Sequence, residues 1–447
     1  MPIDLPLDDP RSDLILAEAD GGSRIRRSIL PGGVRLLTET DRSVRSVSIG
    51  MWLPVGSRDE TPAEAGATHA LEHLLFKGTT RRSALDIATA FDAVGGESNA
   101  VTAKEHTFYY ARVRSADLDL ATDILADMIT SSTLTEESWA TEREVILEEL
   151  AMAEDDPTDI GHETFLAEVL GPDTPLGRPV GGTAASVGAI DIEHVRRHYH
   201  AHYRPGALVV TAVGDLDHDE LAARLSAQLT DGGWDLASGA LPDARRRAEQ
   251  AGERPLLDGP APVRRLRRPT EQTHLYLGGP GIAATSEERH TLGVLMAILG
   301  GGMSSRLFQN VREQRGLAYT VYSYSAGYKE AGLFGMYAAC RPSRVETVAA
   351  LLEEELRRMG SGGVTEEELG RALGQITGTL ALGLEDTSSR MARLGISELV
   401  HGTYTSVDET LDSIAAVSAE DVQALAARLG ERFTTRVEVG PDAAATV

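Results

Sequence analysis

Apolar residues along the first half of the chain gather in runs and stripes separated by polar or glycine-rich breaks. Val47 to Val55 is an apolar run of strand character, and Leu208 to Val213 is another. Between them the spacing turns helical. Ala67, Ala70, Leu71, Leu74 and Leu75 form one stripe, which predicts a helix over residues 63–80 with Gly78 near its end. Gly96 to Thr102 and Phe108 to Ala111 read as strands, and a helix begins near Ser115. Thr135, followed by Glu136 and Glu137, is a polar cap with acids in the first turn. It opens a long helix carrying Trp139, Val145, Ile146, Leu150 and Met152.

The second half repeats this order. Thr273 to Gly278 is the strand, His290 to Leu299 the helix, Leu333 to Ala339 a strand and Val345 to Met359 a helix. Thr365 to Leu380 is the counterpart of the acid-capped helix, and Thr435 to Val439 is the closing strand. Two internal matches support a duplication: Leu134 to Glu137 against Val364 to Glu367, and Ser186 to Val195 against Ser413 to Val422. The expected organisation is a first domain over 24–230, a linker over 231–269 rich in Gly, Ala, Pro and Arg, and a homologous domain over 270–447. The expected fold class is α+β: two homologous α/β sandwich domains, each with helices packed on one side of a mostly antiparallel sheet.

Composition narrows the function. At 447 residues the chain can bury two substantial cores, and no apolar run reaches the length of a membrane helix. The acidic segment Met1 to Asp20 lacks the basic and apolar regions of a signal peptide. Cys340 is the single cysteine, so an intrachain disulfide is excluded and a reducing, cytoplasmic location is expected. A net charge of −25 argues against nucleic acid or an anionic membrane as partner.

The chemistry concentrates in His69-Ala70-Leu71-Glu72-His73. Two imidazoles four residues apart lie on one helix face, a turn apart, and can take two corners of a tetrahedral Zn²⁺. Glu72, beside them and not needed as a ligand, can abstract a proton from a water that the metal activates. Metal-assisted hydrolysis is the reaction implied. Glu142, Glu148 and Glu149 on the next long helix are candidates for the third ligand, and spacing alone does not choose among them. Glu142 and Glu149 share a face, so one could bind metal while the other orients a ligand. By the internal alignment they fall opposite Ala372 and Thr379, and the His helix falls opposite Leu295 to Leu299, so the second copy has none of these groups. A fold that wanted them for packing would keep them in both copies.

The segments Gly66 to Thr79, Gly95 to Thr102 and Arg143 to Glu149 together resemble the inverted-zincin peptidases of the pitrilysin family. The branch is that of bacterial relatives of the mitochondrial processing peptidase. The resemblance runs from about Ser28 to the C-terminus. It implies His69, His73 and Glu149 as ligands of one Zn²⁺ per catalytic domain, Glu72 as general base and Glu142 as support. The chain departs from the family at Ala70, where a bulky residue is usual. In the family the strand carrying Asn99 and Ala100 borders the cleft and pairs with substrate. Arg312 and Tyr319, within Arg312 to Tyr319, resemble a family pair that positions substrate and stabilises the oxyanion.

Gly300-Gly301-Gly302 follows an apolar helix and lacks the Gly-Lys-Ser/Thr ending of a phosphate loop. It reads as a flexible connector, and the resemblance implies that it helps admit peptide. His194, His198, His200 and His202 lack an acid or Cys that would complete a second metal set. The acidic run Ala153 to Asp156 lacks the alternating ligands of a Ca²⁺ loop. The expectation is a zinc metalloendopeptidase acting on extended peptides or unfolded segments in an enclosed chamber. The chain is expected to form a homodimer in which each copy lends Arg312 and Tyr319 to its partner's zinc. The alternative is a non-catalytic partner subunit of a processing-peptidase-like complex.

Overall fold

A computed structural model describes residues 1–10, 12–18, 23–247 and 262–441. In the first repeat the strands are β1 (Ile3–Asp4), β2 (Asp13–Glu18), β3 (Arg24–Ile29), β4 (Arg35–Thr40), β5 (Ser46–Leu53), β6 (Glu97–Thr102), β7 (Thr107–Arg114) and β8 (Val209–Gly214). Its helices are α1 (Ala67–Leu75), α2 (Ala84–Val94), α3 (Leu118–Ser131), α4 (Glu136–Asp155), α5 (Pro157–Leu170), α6 (Ala184–Ala189), α7 (Ile192–His202) and α8 (His218–Asp231). The second repeat contributes β9 (Val263–Arg267), β10 (Thr273–Pro280), β11 (Ala318–Gly327), β12 (Gly332–Cys340), β13 (Thr403–Tyr404) and β14 (Thr435–Gly440). Its helices are α9 (Arg289–Gly300), α10 (Val345–Gly362), α11 (Glu366–Gly383), α12 (Thr387–Ile396), α13 (Val407–Ala415) and α14 (Ala419–Gly430).

The larger sheet runs β2-β3-β4-β8-β5-β7-β6 and the smaller β11-β12-β10-β14-β9. Every neighbour in them is antiparallel except β4 with β8 and β14 with β9. Read from the other end, the smaller sheet repeats β4-β8-β5-β7-β6 as β9-β14-β10-β12-β11, with the same single parallel pair in the same place. The duplication expected from the sequence is thus present in the strand order.

The chain divides into two compact units. The first holds Met1–Leu150, Pro179–Arg246 and Leu382–Ser406; the second holds Ala151–Arg178, Arg247–Ala381 and Val407–Val447. This differs from contiguous domains over 24–230 and 270–447, because each repeat gives one helix to the other unit. In the first unit, α12 covers the sheet face bearing Leu37, Trp52, Val209 and Val213, using Met391 and Leu394. In the second, α5 sets Phe165 and Val169 against Tyr276, Val437 and Val439. Helices therefore lie on both faces of each sheet, not on one side. The reason is physical: β8 is buried at every position, so both of its faces need an apolar cover. The other face of the larger sheet packs on α1, α3, α7 and α8 through Ile49, Met51, Leu71, Leu125, Val195 and Leu225.

The linker expectation is also corrected. Residues 248–261 lie outside the described residues, but Val263–Arg267 forms β9, parallel to β14. Its Val-Arg-Arg-Leu-Arg sequence does not alternate cleanly because exposed arginines stand on both faces of this edge strand. Upstream, Arg245 bonds Glu398 Oε1 and Leu5 O at 2.6 Å each, and Arg246 clasps Asp59, so this stretch is fastened to the first unit.

Candidate metal centre

The centre is built on α1. The spacing predicts a helix over 63–80, and the observed element is shorter because glycines close both ends. Gly66 precedes it at φ +102, a left-handed conformation, and Gly78 follows at φ +133. Glu60, buried at 4% exposure, caps the start by accepting from Gly66 N at 2.9 Å and Thr68 N at 2.7 Å. Ala70, Leu71, Leu74 and Leu75 are all buried, and Ala70, the departure from the family pattern, is wholly inside the core. That leaves His69, Glu72 and His73 half-buried on the remaining face.

α4 supplies the carboxylates. Thr135 caps it through Ser138 N at 3.1 Å, and Trp139, Glu142 and Ile146 are its buried positions. Glu149 continues the same stripe by helical spacing and is exposed. Glu142 therefore enters the interior as a member of the packing face, while Glu149 stands at its open end.

His69, His73 and Glu149 each present one ligand atom, all within 4.8 Å of one another, and they are the one such group among the described residues. The two Nε2 atoms are 3.3 Å apart, and Glu149 Oε2 lies 3.4 Å from that of His73 and 3.9 Å from that of His69. Zinc–nitrogen bonds of about 2.0–2.1 Å at tetrahedral angles separate ligand nitrogens by about 3.3–3.4 Å. Three donors at these separations fit one tetrahedral ion with a corner left open. Their chemistry fits too, since neutral imidazole and carboxylate are both zinc ligands. Burial, with His73 alongside, pushes the His69 imidazole down to about 4, so it is a neutral donor at ordinary pH.

Glu142 Oε2 accepts from His73 Nδ1 at 3.1 Å, which leaves the Nε2 lone pair facing the triad. His69 Nδ1 is buried and meets no hydrogen-bond partner among the described residues. Burial raises the Glu72 carboxyl above its ordinary value, against the Thr102 hydroxyl, which donates to Glu72 Oε2. Neither Thr102 nor Lys77, which bonds the second Glu142 oxygen at 2.8 Å, stood out in the sequence. Each meets its carboxylate only through tertiary packing.

β6 is an edge strand of the larger sheet, and Thr102 is its last residue. Asn99 and Ala100 lie on it, and Asn99 Oδ1 accepts from Ala100 N at 2.8 Å. Arg312 and Tyr319 belong to the second unit. There the guanidinium carbon sits 4.4 Å over the Tyr319 ring and 4.6 Å over Phe308, and Tyr319 is 75% exposed. Gly300 closes α9, and a Cβ on it would come within 2.3 Å of Ser323 N, so close backbone approach explains this glycine. Gly301 O accepts from Gln375 Nε2 at 2.7 Å, and Gly302 has room around it. Among the other histidines, His198 Nε2 lies 3.1 Å from Thr68 Oγ1 and His194 pairs with Asp191 at 2.5 Å.

Two homologous α+β units, one of them bearing a His₂Glu triad with a carboxylate beside it, hold the groups that metal-assisted hydrolysis needs. Residues 35–184 match the family model of Insulinase (Peptidase family M16), and residues 189–376 match that of the Peptidase M16 inactive domain. A protein of Streptomyces coelicolor named as an uncharacterized zinc protease is 50% identical over 433 residues, 96% of this chain and 93% of that protein. Another so named, from Bacillus subtilis, is 37% identical over 91% of this chain and 95% of its own length. The fold is shared with a crystallised protease from Helicobacter pylori, at a TM-score of 0.83 and 20% identity over 94% of this chain and all 100% of that one. A peptidase M16 inactive domain from Pseudomonas fluorescens gives a TM-score of 0.82 at 21% identity, over 95% and 98% of the two chains. The chain belongs to peptidase family M16, the family of the pitrilysin resemblance.

Proposed function

We propose that this protein is a zinc-dependent endopeptidase that hydrolyses extended peptides or unfolded segments. The observation that carries the reading is the convergence of His69, His73 and Glu149 on one point, with Glu72 beside them and outside the set. Zinc held there would supply Lewis acidity, making a water easier to deprotonate and polarising the scissile carbonyl. Glu72 handles the proton, taking it from the attacking water and delivering it to the leaving amine. Burial raises its carboxyl, which eases its holding of the proton between the two transfers. Thr102, bonded to one Glu72 oxygen, leaves the other free for the proton. Glu142 keeps the His73 ring in its donor orientation.

Substrate adds as a strand along β6, with Asn99 and Ala100 in the pairing segment and the chain ending beside Glu72. The edge position of β6 and the contact of its last residue with the base support this. The Gly300–Gly302 connector helps admit the peptide. The working enzyme is a homodimer enclosing a chamber, in which Arg312 and Tyr319 of one copy donate to the oxyanion formed at the other copy's site. The experiment is a digest of extended peptides by wild type and Glu72→Gln, with zinc content measured alongside. Glu72→Gln keeps its zinc and loses roughly 10²–10⁴-fold in kcat. Full turnover in that variant, or in protein stripped by a chelator, sinks the reading.

A further inference from the structure

We infer that Lys77 is a positioning residue for the zinc triad, acting through Glu142; this rests on the triad being a zinc site. The Glu142 side chain is 6% exposed and its two oxygens are divided between two partners. Oε2 takes His73 Nδ1 at 3.1 Å and Oε1 takes Lys77 Nζ at 2.8 Å. A carboxylate held at both oxygens cannot rotate about its last bond, so the ammonium sets the plane in which His73 is gripped. Lys77 is anchored to the ligand-bearing helix itself, its backbone N–H bonding Leu74 O at 3.0 Å. Its side chain therefore ties α1, which carries both histidines, to α4, which carries Glu149.

Charge points the same way. Glu72, Glu142 and Glu149 bring three negative charges to the site, and Lys77 is the one Lys or Arg paired with any of them among the described residues. One ammonium and one zinc dication balance them. The choice of side chain is informative in a chain whose only lysines are Lys77, Lys104 and Lys329, all other positive side chains apart from histidine being Arg. A compact ammonium meets one oxygen and leaves the other for His73. A guanidinium matches both oxygens of a carboxylate at once and would draw Glu142 off the imidazole.

The test is zinc affinity, read by chelator competition on metal-free full-length protein, for wild type, Lys77→Met, Lys77→Arg, Glu142→Gln and the double variant Lys77→Met/Glu142→Gln. Lys77→Met weakens zinc binding by about tenfold, and Lys77→Arg recovers only part of the loss. Because Lys77 acts through Glu142, the Lys77→Met change adds nothing once Glu142 is Gln. Lys77→Met lowers the metal-free melt because it leaves Glu142 without its cation, and a cooperative melt well above the assay temperature separates a lost grip on His73 from a lost fold. Wild-type affinity in Lys77→Met overturns the inference, as does a loss that repeats in full in the Glu142→Gln background. A wild-type protein that takes up no zinc overturns the functional reading itself, a different result from the other two.

Discussion

The two repeats share a strand order and part company at two helices. In the first, α1 interrupts its buried positions with His69, Glu72 and His73, and α4 carries Glu142 and Glu149. In the second, α9 presents Leu295, Met296, Ile298 and Leu299, all buried, while α11 has buried Ala372 and exposed Thr379 at the matching places. The second core closes with apolar residues there, so the fold itself requires neither imidazole nor carboxylate. Glu142 is a carboxylate inside a packing face and His69 a half-buried imidazole, and each costs stability unless it is compensated. The same architecture stands without them in the second repeat, which supports the proposal that they serve chemistry. The edge strands differ in parallel fashion: β6 offers Asn99 and Ala100, and its counterpart β11 offers Tyr319.

The strongest way to break this comparison is to make the first repeat resemble the second at one ligand. Glu149→Thr installs the residue type found at 379. It should abolish zinc uptake and lower peptide hydrolysis by roughly 10³-fold or more, with the metal-free melt unchanged because Glu149 is exposed. Zinc content and turnover measured on one preparation decide it; a variant that keeps both shows that the triad is not the centre.

The contribution of the second repeat is the next largest effect. Glu72→Gln and Tyr319→Phe proteins are each expected to be nearly inactive, and mixing them with verified subunit exchange should restore activity. Random pairing makes half the dimers mixed, each with one intact site, so recovery approaches about a quarter of wild type. A scrambled mixture that stays inactive rules out sites completed between copies.

The centre was more legible in sequence than the fold around it. His69, Glu72 and His73 lie within one turn of each other, and a local spacing carries its geometry with it. Glu142 and Glu149 share a stripe for the same reason. Thr102 and Lys77 were invisible as partners because they meet Glu72 and Glu142 across 30 and 65 residues of chain. The exchanged helices were hidden for another reason. An apolar stripe such as Phe165 and Val169 announces that a face will be covered, and says nothing of which sheet covers it. β9 does not read as a strand because three of its five residues are arginine.

Acid should separate the two units. In the first, His106, His198 and His218 are each pushed down to about 4, chiefly by burial. In the second, His274 and His290 are lowered by burial as well, but both are only half-buried. A folded pKa below the unfolded value means that the unfolded chain binds more protons. Stability from these groups is therefore present above about 6.5 and is lost as pH falls toward 4, by about 2–3 kcal/mol each over the whole range. Hydrogen exchange on metal-free protein at pH 7 and pH 5 checks this. Amides of β5 and β8 should lose more protection than those of β10 and β12, and equal losses remove the distinction.

The smallest effect tests what the two repeats have in common. Each exchanged helix sets a glycine against an aromatic ring of the sheet it covers: Gly395 of α12 against Trp52, and Gly161 of α5 against Tyr276. A Cβ at Gly395 would come within 2.5 Å of the Trp52 ring and one at Gly161 within 2.4 Å of the Tyr276 ring. Neither ring can swing aside freely, since Trp52 Nε1 donates to Thr211 Oγ1 at 2.8 Å and Tyr276 OH donates to Thr158 O at 2.7 Å. Gly161→Ala and Gly395→Ala should each cost about 1–3 kcal/mol through overpacking, more than the helix propensity gained from alanine returns. Denaturant titration of the metal-free variants measures both. Similar losses mean that the exchange is one packing solution used twice, whereas a loss at one glycine alone would show that the repeats have diverged in their scaffold as well as in their chemistry.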